Sequence, residues 1–337
     1  MSVVSRRKVK DRNYYYLEES FKLGGKWRKE SIYLGPEKPG ATGLPGAFEE
    51  LKKKCAKRRH SVLVPPLTEF ISNRKATSLR KAAENKREFL KKLEKTQRDE
   101  FAKRERITFI TDSNAIEGSS LTYSETSRVL AYENQVRQAE KKKITITGIN
   151  REELEALNLK ECLDRYDKYM KTGQKLSEKM ILQLHFVLLQ KISGYEEYQG
   201  IYRPVKVYIV GSTHEFPLPA EVPGLMKKLV EWLEENEKLM HPVELAAKFH
   251  TKFTGIHPFA DGNGRMARLL MNYILQQKEF PFTNIPLKRR QAYMKTQAEG
   301  NKENHKPFVR FLSEEIIKQH SNPEKKPAKR PPKRIKP

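Results

Sequence analysis

Between Thr122 and Lys318 apolar residues return at the three-to-four-residue interval of an α-helix in one segment after another, and this constrains the fold more than any other feature. The segments run over Thr122–Lys142, Glu152–Lys171, Ser177–Ile192, Ala220–Asn236, Val243–Phe253, Gly264–Gln277, Lys288–Glu299 and Lys306–Lys318. Several start where a helix should start: Ser177 stands before Glu178 as an N-cap, and Pro242 suits a first turn because its missing N–H has no helical partner to lose. Such a chain buries its apolar stripes helix against helix, so the body is mainly α. One stretch breaks the pattern. Val207, Tyr208, Ile209, Val210, Gly211, Ser212, Thr213, His214, Glu215 and Phe216 alternate and turn as a β-hairpin would, and Pro217 and Pro219 end it.

Upstream, aromatic and β-branched residues lie on both sides of Gly24-Gly25, a two-residue turn signal, and Gly35-Pro36 closes the second strand; a small β-hairpin is expected. A loop then leads to a short basic helix over Ala47–Arg59, with VLVPPL as the next break. From Asn73 to Arg106 the chain is dense in Lys, Arg and Glu, with Leu79, Ala82, Ala83, Leu90, Leu93 and Phe101 near helical spacing, which predicts one long exposed helix. After Ser321 prolines interrupt a run of mutually repelling cations, so this stretch reads as a disordered basic tail. The expected organisation is a hairpin and basic helix over 1–70, a charged helix over 71–107, a helical domain over 108–320 and a tail over 321–337.

With 337 residues, 37% of them apolar, the chain is long enough for a substantial core. No apolar run is long enough to span a bilayer and the first residues lack the apolar segment of a signal peptide, so no membrane partner and a cytoplasmic location are expected. Cys55 and Cys162 are too few for a disulfide framework or a cysteine-based metal site. Lys and Arg number 67 against 42 Asp and Glu, a surplus of 25 that attracts polyanions without choosing among nucleic acid, acidic proteins and nucleotides.

HPFADGNGRMAR, His257 to Arg268, joins two of the helical segments through a polar loop. The loop runs into a helix N-terminus, where unpaired backbone N–H groups and the positive end of the helix dipole favour an anion. Gly262 and Gly264 let that anion approach the backbone, and Arg265 and Arg268 are forks suited to phosphate oxygens. Asp261 is a hard oxygen ligand for Mg²⁺, and His257, with an ordinary pKa of about 6.5, suits proton removal from a hydroxyl. Phosphoryl or nucleotidyl transfer is the chemistry this mixture fits.

The twelve residues match every defining position of His-x-Phe-x-(Asp/Glu)-Gly-Asn-Gly-Arg-x-x-Arg, the signature of the Fic family, which the chain resembles from about Phe101 to Ile317. Gly200-Ile201-Tyr202-Arg203, the Val207–Phe216 hairpin and KRRQAYMKTQAEGN extend the likeness on both sides. The resemblance implies a Fic-type helical bundle with a β-hairpin flap, to which the N-terminal hairpin and helix are an appendage. It implies AMP transfer from ATP, with Mg²⁺, to a Ser, Thr or Tyr hydroxyl of a target protein, itself included. His257 would then be the base, Phe259 the anchor of the loop, and Asp261 the metal ligand. Gly262, Asn263 and Gly264 would form the anion hole, Arg265 would bind phosphate oxygens and Arg268 the γ-phosphate. The flap, Val207–Phe216, would pair with the target backbone, and a homodimer is implied as well. Gly264 stands where Doc-type kinases carry lysine, which favours AMP transfer over kinase chemistry.

Ser113-Asn114-Ala115-Ile116-Glu117-Gly118 fits the family's inhibitory pattern (Ser/Thr)-x-x-x-Glu-(Gly/Asn), so Ser113, Glu117 and Gly118 would make the enzyme autoinhibited. Two other readings stay open. The same site would remove AMP if Glu117 oriented a water, or the chain would be a nucleic-acid or ribosome adaptor acting through its basic regions with an inactive core. His185, in an apolar helix, is expected as a core histidine, and His241 as loop punctuation.

Overall fold

The computed structural model describes residues 2–9, 12–23, 26–40, 44–61, 68–141, 148–208 and 215–325. Two compact units divide it, Met1–Leu67 and Thr68–Pro337.

In the first unit β1 (Ser2–Val9), β2 (Arg12–Leu23) and β3 (Lys26–Gly35) form an antiparallel sheet in the order β1-β2-β3, and α1 (Leu44–Ser61) packs on β2 and β3. Leu23 pairs with Lys26, as the expected two-residue turn requires, although Gly24-Gly25 itself lies outside the described residues. The hairpin expectation is corrected by one strand: β1 adds to β2 with Val4 opposite Leu17. A small core of Leu17, Leu51 and Cys55 holds helix to sheet.

The second unit is helical. It runs α2 (Asn73–Lys92), α3 (Lys95–Ile116), α4 (Tyr123–Lys141), α5 (Arg151–Lys171), α6 (Glu178–Leu189), α7 (Val222–Asn236), α8 (Pro242–Ile256), α9 (Asn263–Gln277), α10 (Arg290–Asn301) and α11 (Lys306–His320). The eight helices expected between 122 and 318 are all present. No helix among the described residues is long and apolar enough to cross a membrane.

The single helix expected from 73 to 106 is two. Leu93 and Glu94 take extended backbone angles, and the Glu94 N–H donates to Gln97 Oε1 at 3.1 Å, starting a fresh helix without a proline or glycine. Nor is that region merely exposed or a separate segment: Leu79, Ala82 and Ala83 are buried, α2 packs on α11, and α3 continues past the boundary expected at 107 to Ile116. Lys86 is buried too, ion-paired to Glu105 at 2.8 Å beneath the Phe101 ring.

α8 and α9 lie at the centre, apolar or buried on nearly every side, with α7, α10 and α11 against α8 and α3, α5 and α6 against α9. His241 does more than punctuate: its Nδ1 accepts from the Val243 N–H at 3.2 Å and caps α8. A buried Glu244 in the first turn of α8 accepts the Glu69 and Phe70 N–H groups and pairs with Lys248 at 3.4 Å, fastening the segment before α2 to the bundle centre. The loop between α8 and α9 is thereby held between the two most buried helices.

Candidate active site

His257 ends α8 in a left-handed conformation, φ 52°, so the chain leaves the helix axis abruptly. Gly262, at φ 79°, precedes α9 in the same region of backbone space, where a side chain would be strained. The next residue, Asn263, acts as a clasp: its Oδ1 accepts from the Phe259 N–H at 3.0 Å and its Nδ2 donates to the Phe259 carbonyl at 2.8 Å. The Asn263 side chain is therefore spent on the loop, and its contribution to an anion site is its backbone N–H. α9 has no side-chain cap, which leaves the first-turn N–H groups of Asn263, Gly264 and Arg265 at the open end of the helix.

His185 and Phe259 lie ring on ring at 3.6 Å, both fully buried. His185 Nδ1 accepts from the Gly200 N–H, which places the proton on Nε2, where it donates to the Asp261 carbonyl at 3.1 Å. Burial lowers its pKa to about 4, so it is a neutral strut. The core-histidine expectation holds, with the addition that this histidine supports the loop itself.

Arg203 is the residue that sequence reasoning left without a role. It is 2% exposed, and it donates through Nε to the His257 carbonyl at 2.7 Å, through Nη1 to Val205 and through Nη2 to Pro217. One guanidinium thus joins the loop to both ends of the Val205–Pro217 segment. The only sequence signal is its place in the Gly200–Arg203 stretch. Of the expected flap, Ile209, Val210, Gly211, Ser212, Thr213 and His214 lie outside the described residues. Val207, Tyr208, Glu215 and Phe216 are described and carry no ladder; the Phe216 ring stands 4.5 Å from that of His257. Burial and then Arg203 lower the His257 pKa to about 4, against the pull of the Thr254 backbone and of Glu117 and Asp261. Its imidazole is consequently neutral near pH 7, the protonation state that a general base requires.

The two arginines of α9 point to different partners. Arg265, 3% exposed, lies 3.4 Å from both Glu155 Oε2 and Asp261 Oδ2, and its Nε is buried with no hydrogen-bond partner among the described residues. Arg151 also approaches Asp261, at 3.5 Å. Arg268, 1% exposed, donates through Nε to Ser113 Oγ at 2.9 Å and through Nη2 to the Ser113 carbonyl at 2.8 Å and Glu117 Oε1 at 2.7 Å. Its Nη1 meets Tyr293 Oη at 3.3 Å. The fork is shared between Ser113 and Glu117, and Ser113 is a buried residue of the last turns of α3.

Glu117 closes α3, an unfavourable place for an anion, but its carboxylate reaches the opposite end of another helix. A Cβ on Gly264 would collide with Glu117 Oε1 and stand 3.1 Å from Arg268 Nη1. Only glycine at 264 leaves room for that carboxylate against the first turn of α9. Gly118 then turns the chain away at φ 114°. Glu117 thus touches the first turns of α9, 151 residues away in sequence from Arg268.

Residues 175–275 match the family model described as Fic/DOC family, which spans α6 to α9 and the whole of this loop. Over these residues the chain is similar to the Fic/DOC family. A protein adenylyltransferase Fic from Nematostella vectensis is 32% identical over 207 residues, covering 60% of this chain and 45% of the relative. One from Drosophila grimshawi is 33% identical over 210 residues, covering 61% of this chain and 40% of the relative. The chain thus spans less than half the length of these curated relatives. The Fic fold recurs in a Fic domain containing signaling protein from Bacteroides thetaiotaomicron, with TM-score 0.60, 24% identity, and coverage of 73% of this chain and 94% of the other.

Proposed function

We propose that this chain is a protein adenylyltransferase restrained by Glu117. The observation that carries the reading is the set of groups gathered at the start of α9: an uncapped helix N-terminus, a neutral His257 beside it, and two buried arginines on its first turns. In this reading His257 takes the proton of a Ser, Thr or Tyr hydroxyl, and the freed oxygen attacks the α-phosphorus of ATP. The bond from that phosphorus to the bridging oxygen breaks, giving an AMP ester and pyrophosphate. The N–H groups of Asn263, Gly264 and Arg265 and the Arg265 and Arg268 guanidiniums are placed to stabilise charge on the phosphates. Asp261 suits Mg²⁺ as a single hard ligand beside phosphate oxygens, since its carboxylate is partly exposed at the loop's rim, 29%, and the described residues contain no group of three ligating side chains. When bound there, the ion would neutralise phosphate charge.

The target is a protein presented along the Val207–Phe216 segment, with this chain itself among the candidates; the adenylyltransferase names of the relatives support a protein substrate, and the family resemblance supports a homodimer. Glu117 supports one variation, because its carboxylate lies near enough to His257 to influence its charge and is accessible enough to hold a water, which would favour AMP removal. Incubation with ATP labelled at the α- or the γ-phosphate, with lysate, tests the chemistry. Label from the α-position should enter protein, and His257→Ala should abolish it. Label entering only from the γ-position would make the chain a kinase.

A further inference from the structure

Strand register sorts the side chains of the N-terminal sheet onto two faces. Leu17 pairs with Val4 and with Ile32, and these share the face covered by α1. Alternate residues fall on the other face: Arg7 opposite Tyr14, Tyr16 opposite Tyr33, with Arg12 and Lys29 at its margins. There Tyr33 is 51% exposed, and the Arg7 and Lys29 side chains are 50% and 55% exposed. The three rings lean on one another, Tyr16 at 5.4 Å and Tyr14 at 6.1 Å from Tyr33, and the Arg7 guanidinium sits 4.4 Å over Tyr16. Glu18 is the acidic residue among them. Only 6% exposed, it is ion-paired by both Arg7 and Lys29, so its charge is spent fixing those two cations on the surface. Burial alone would raise its carboxyl, but hydrogen bonds from Lys29 and Arg7 hold it at about 2.

Charge selects the partner's sign. Residues 1–67 hold 16 Lys and Arg against 7 Asp and Glu, a surplus of 9. A sheet that presents fixed cations and tyrosine edges in so basic a unit complements a polyanion with regularly spaced charge. Single strands dock by stacking bases on free aromatic faces, but here Arg7 covers Tyr16 and the rings occupy each other. A major groove of about 12 Å admits a two-stranded β-ribbon such as β2 and β3, whereas the A-form major groove is too narrow for side-chain readout. We propose that this open face docks duplex DNA, its cations against backbone phosphates and its tyrosine edges toward the major groove. The proposal is independent of the chemistry at His257.

Fluorescence anisotropy of the full chain with a labelled DNA duplex of roughly 20 base pairs, about two helical turns, tests it against the same sequence as single-stranded DNA and as duplex RNA. DNA duplex should be bound most tightly, with the logarithm of affinity falling against the logarithm of salt at a slope of about −3, as for three to four phosphate contacts. Arg12→Glu/Tyr33→Ser, which leaves the Glu18 pairs and the Leu17 core intact, should weaken binding at least tenfold with circular dichroism and AMP transfer unchanged. The same loss should appear in a chain lacking 326–337, whose cations are a separate polyanion attractor. No duplex binding at low salt, equal or tighter binding of single strands or RNA, an unweakened double variant, or binding that vanishes with 326–337 would each overturn the proposal.

Discussion

Two hydrogen bonds between the Asn263 side chain and the Phe259 backbone close the His257 loop, and Asn263 is 3% exposed. Replacing it with alanine leaves a buried N–H and a buried carbonyl of Phe259 unpaired, each costing about 1–3 kcal/mol. Asn263→Ala should therefore lower unfolding stability in urea by roughly 2–4 kcal/mol and weaken ATP binding together, because the same loop fixes both the core ring of Phe259 and the first turn of α9. Asn263→Asp should be no better than alanine, since a second acceptor would face the Phe259 carbonyl. An unchanged urea midpoint in either variant would contradict the clasp. Arg203 works at the same scale from the other side, holding the His257 carbonyl while its charge helps keep the imidazole neutral.

At the scale of elements, the helices around the site were legible because their burial is written as period: α8 and α9 carry apolar residues on almost every face. The loop was legible for a different reason, its working residues being contiguous between one helix end and the next. What stayed hidden depends on distance. Glu155, Tyr293 and Arg203 reach the two arginines and His257 from α5, α10 and a coil, and no local pattern marks their roles, Arg203 having only its place in the Gly200–Arg203 stretch. β1 escaped because Arg6, Arg7 and Lys8 interrupt its apolar alternation, and cations of this kind are what protect an edge strand from pairing with strangers. The break between α2 and α3 escaped because a Glu94–Gln97 contact makes it instead of glycine or proline. An inhibitory role for Glu117 was expected from its motif, but the contact it makes was not spelled out there: Ser113 takes part of the Arg268 fork, and the carboxylate also fills the space that Gly264 leaves open.

For the whole molecule, five histidines with lowered pKa values set a common response to acid. His185, His241 and His257 have pKa values lowered to about 4, and those of His250 and His305 are also lowered, in each case chiefly by burial. The unfolded chain, with ordinary values near 6.5, binds more protons than the fold between about 6.5 and 4, so stability present above that window is lost as pH falls through it. Each histidine can contribute up to about 1.4 kcal/mol per pH unit there. Urea midpoints should drop steadily from pH 7 to 4.5, and a flat profile would contradict neutral burial. The proposed restraint on catalysis would likewise be a property of the assembled fold, since the Glu117–Arg268 contact joins the end of α3 to the start of α9. Its most direct measurement is the rate of α-phosphate labelling by wild type, Glu117→Gly and Glu117→Gly/Arg268→Ala at saturating ATP. Freed from the carboxylate, Arg268 should raise labelling at least roughly tenfold in the single variant, equivalent to about 1.4 kcal/mol of barrier, and its removal should cancel the gain. Unchanged labelling in a folded, ATP-binding Glu117→Gly protein would contradict the account.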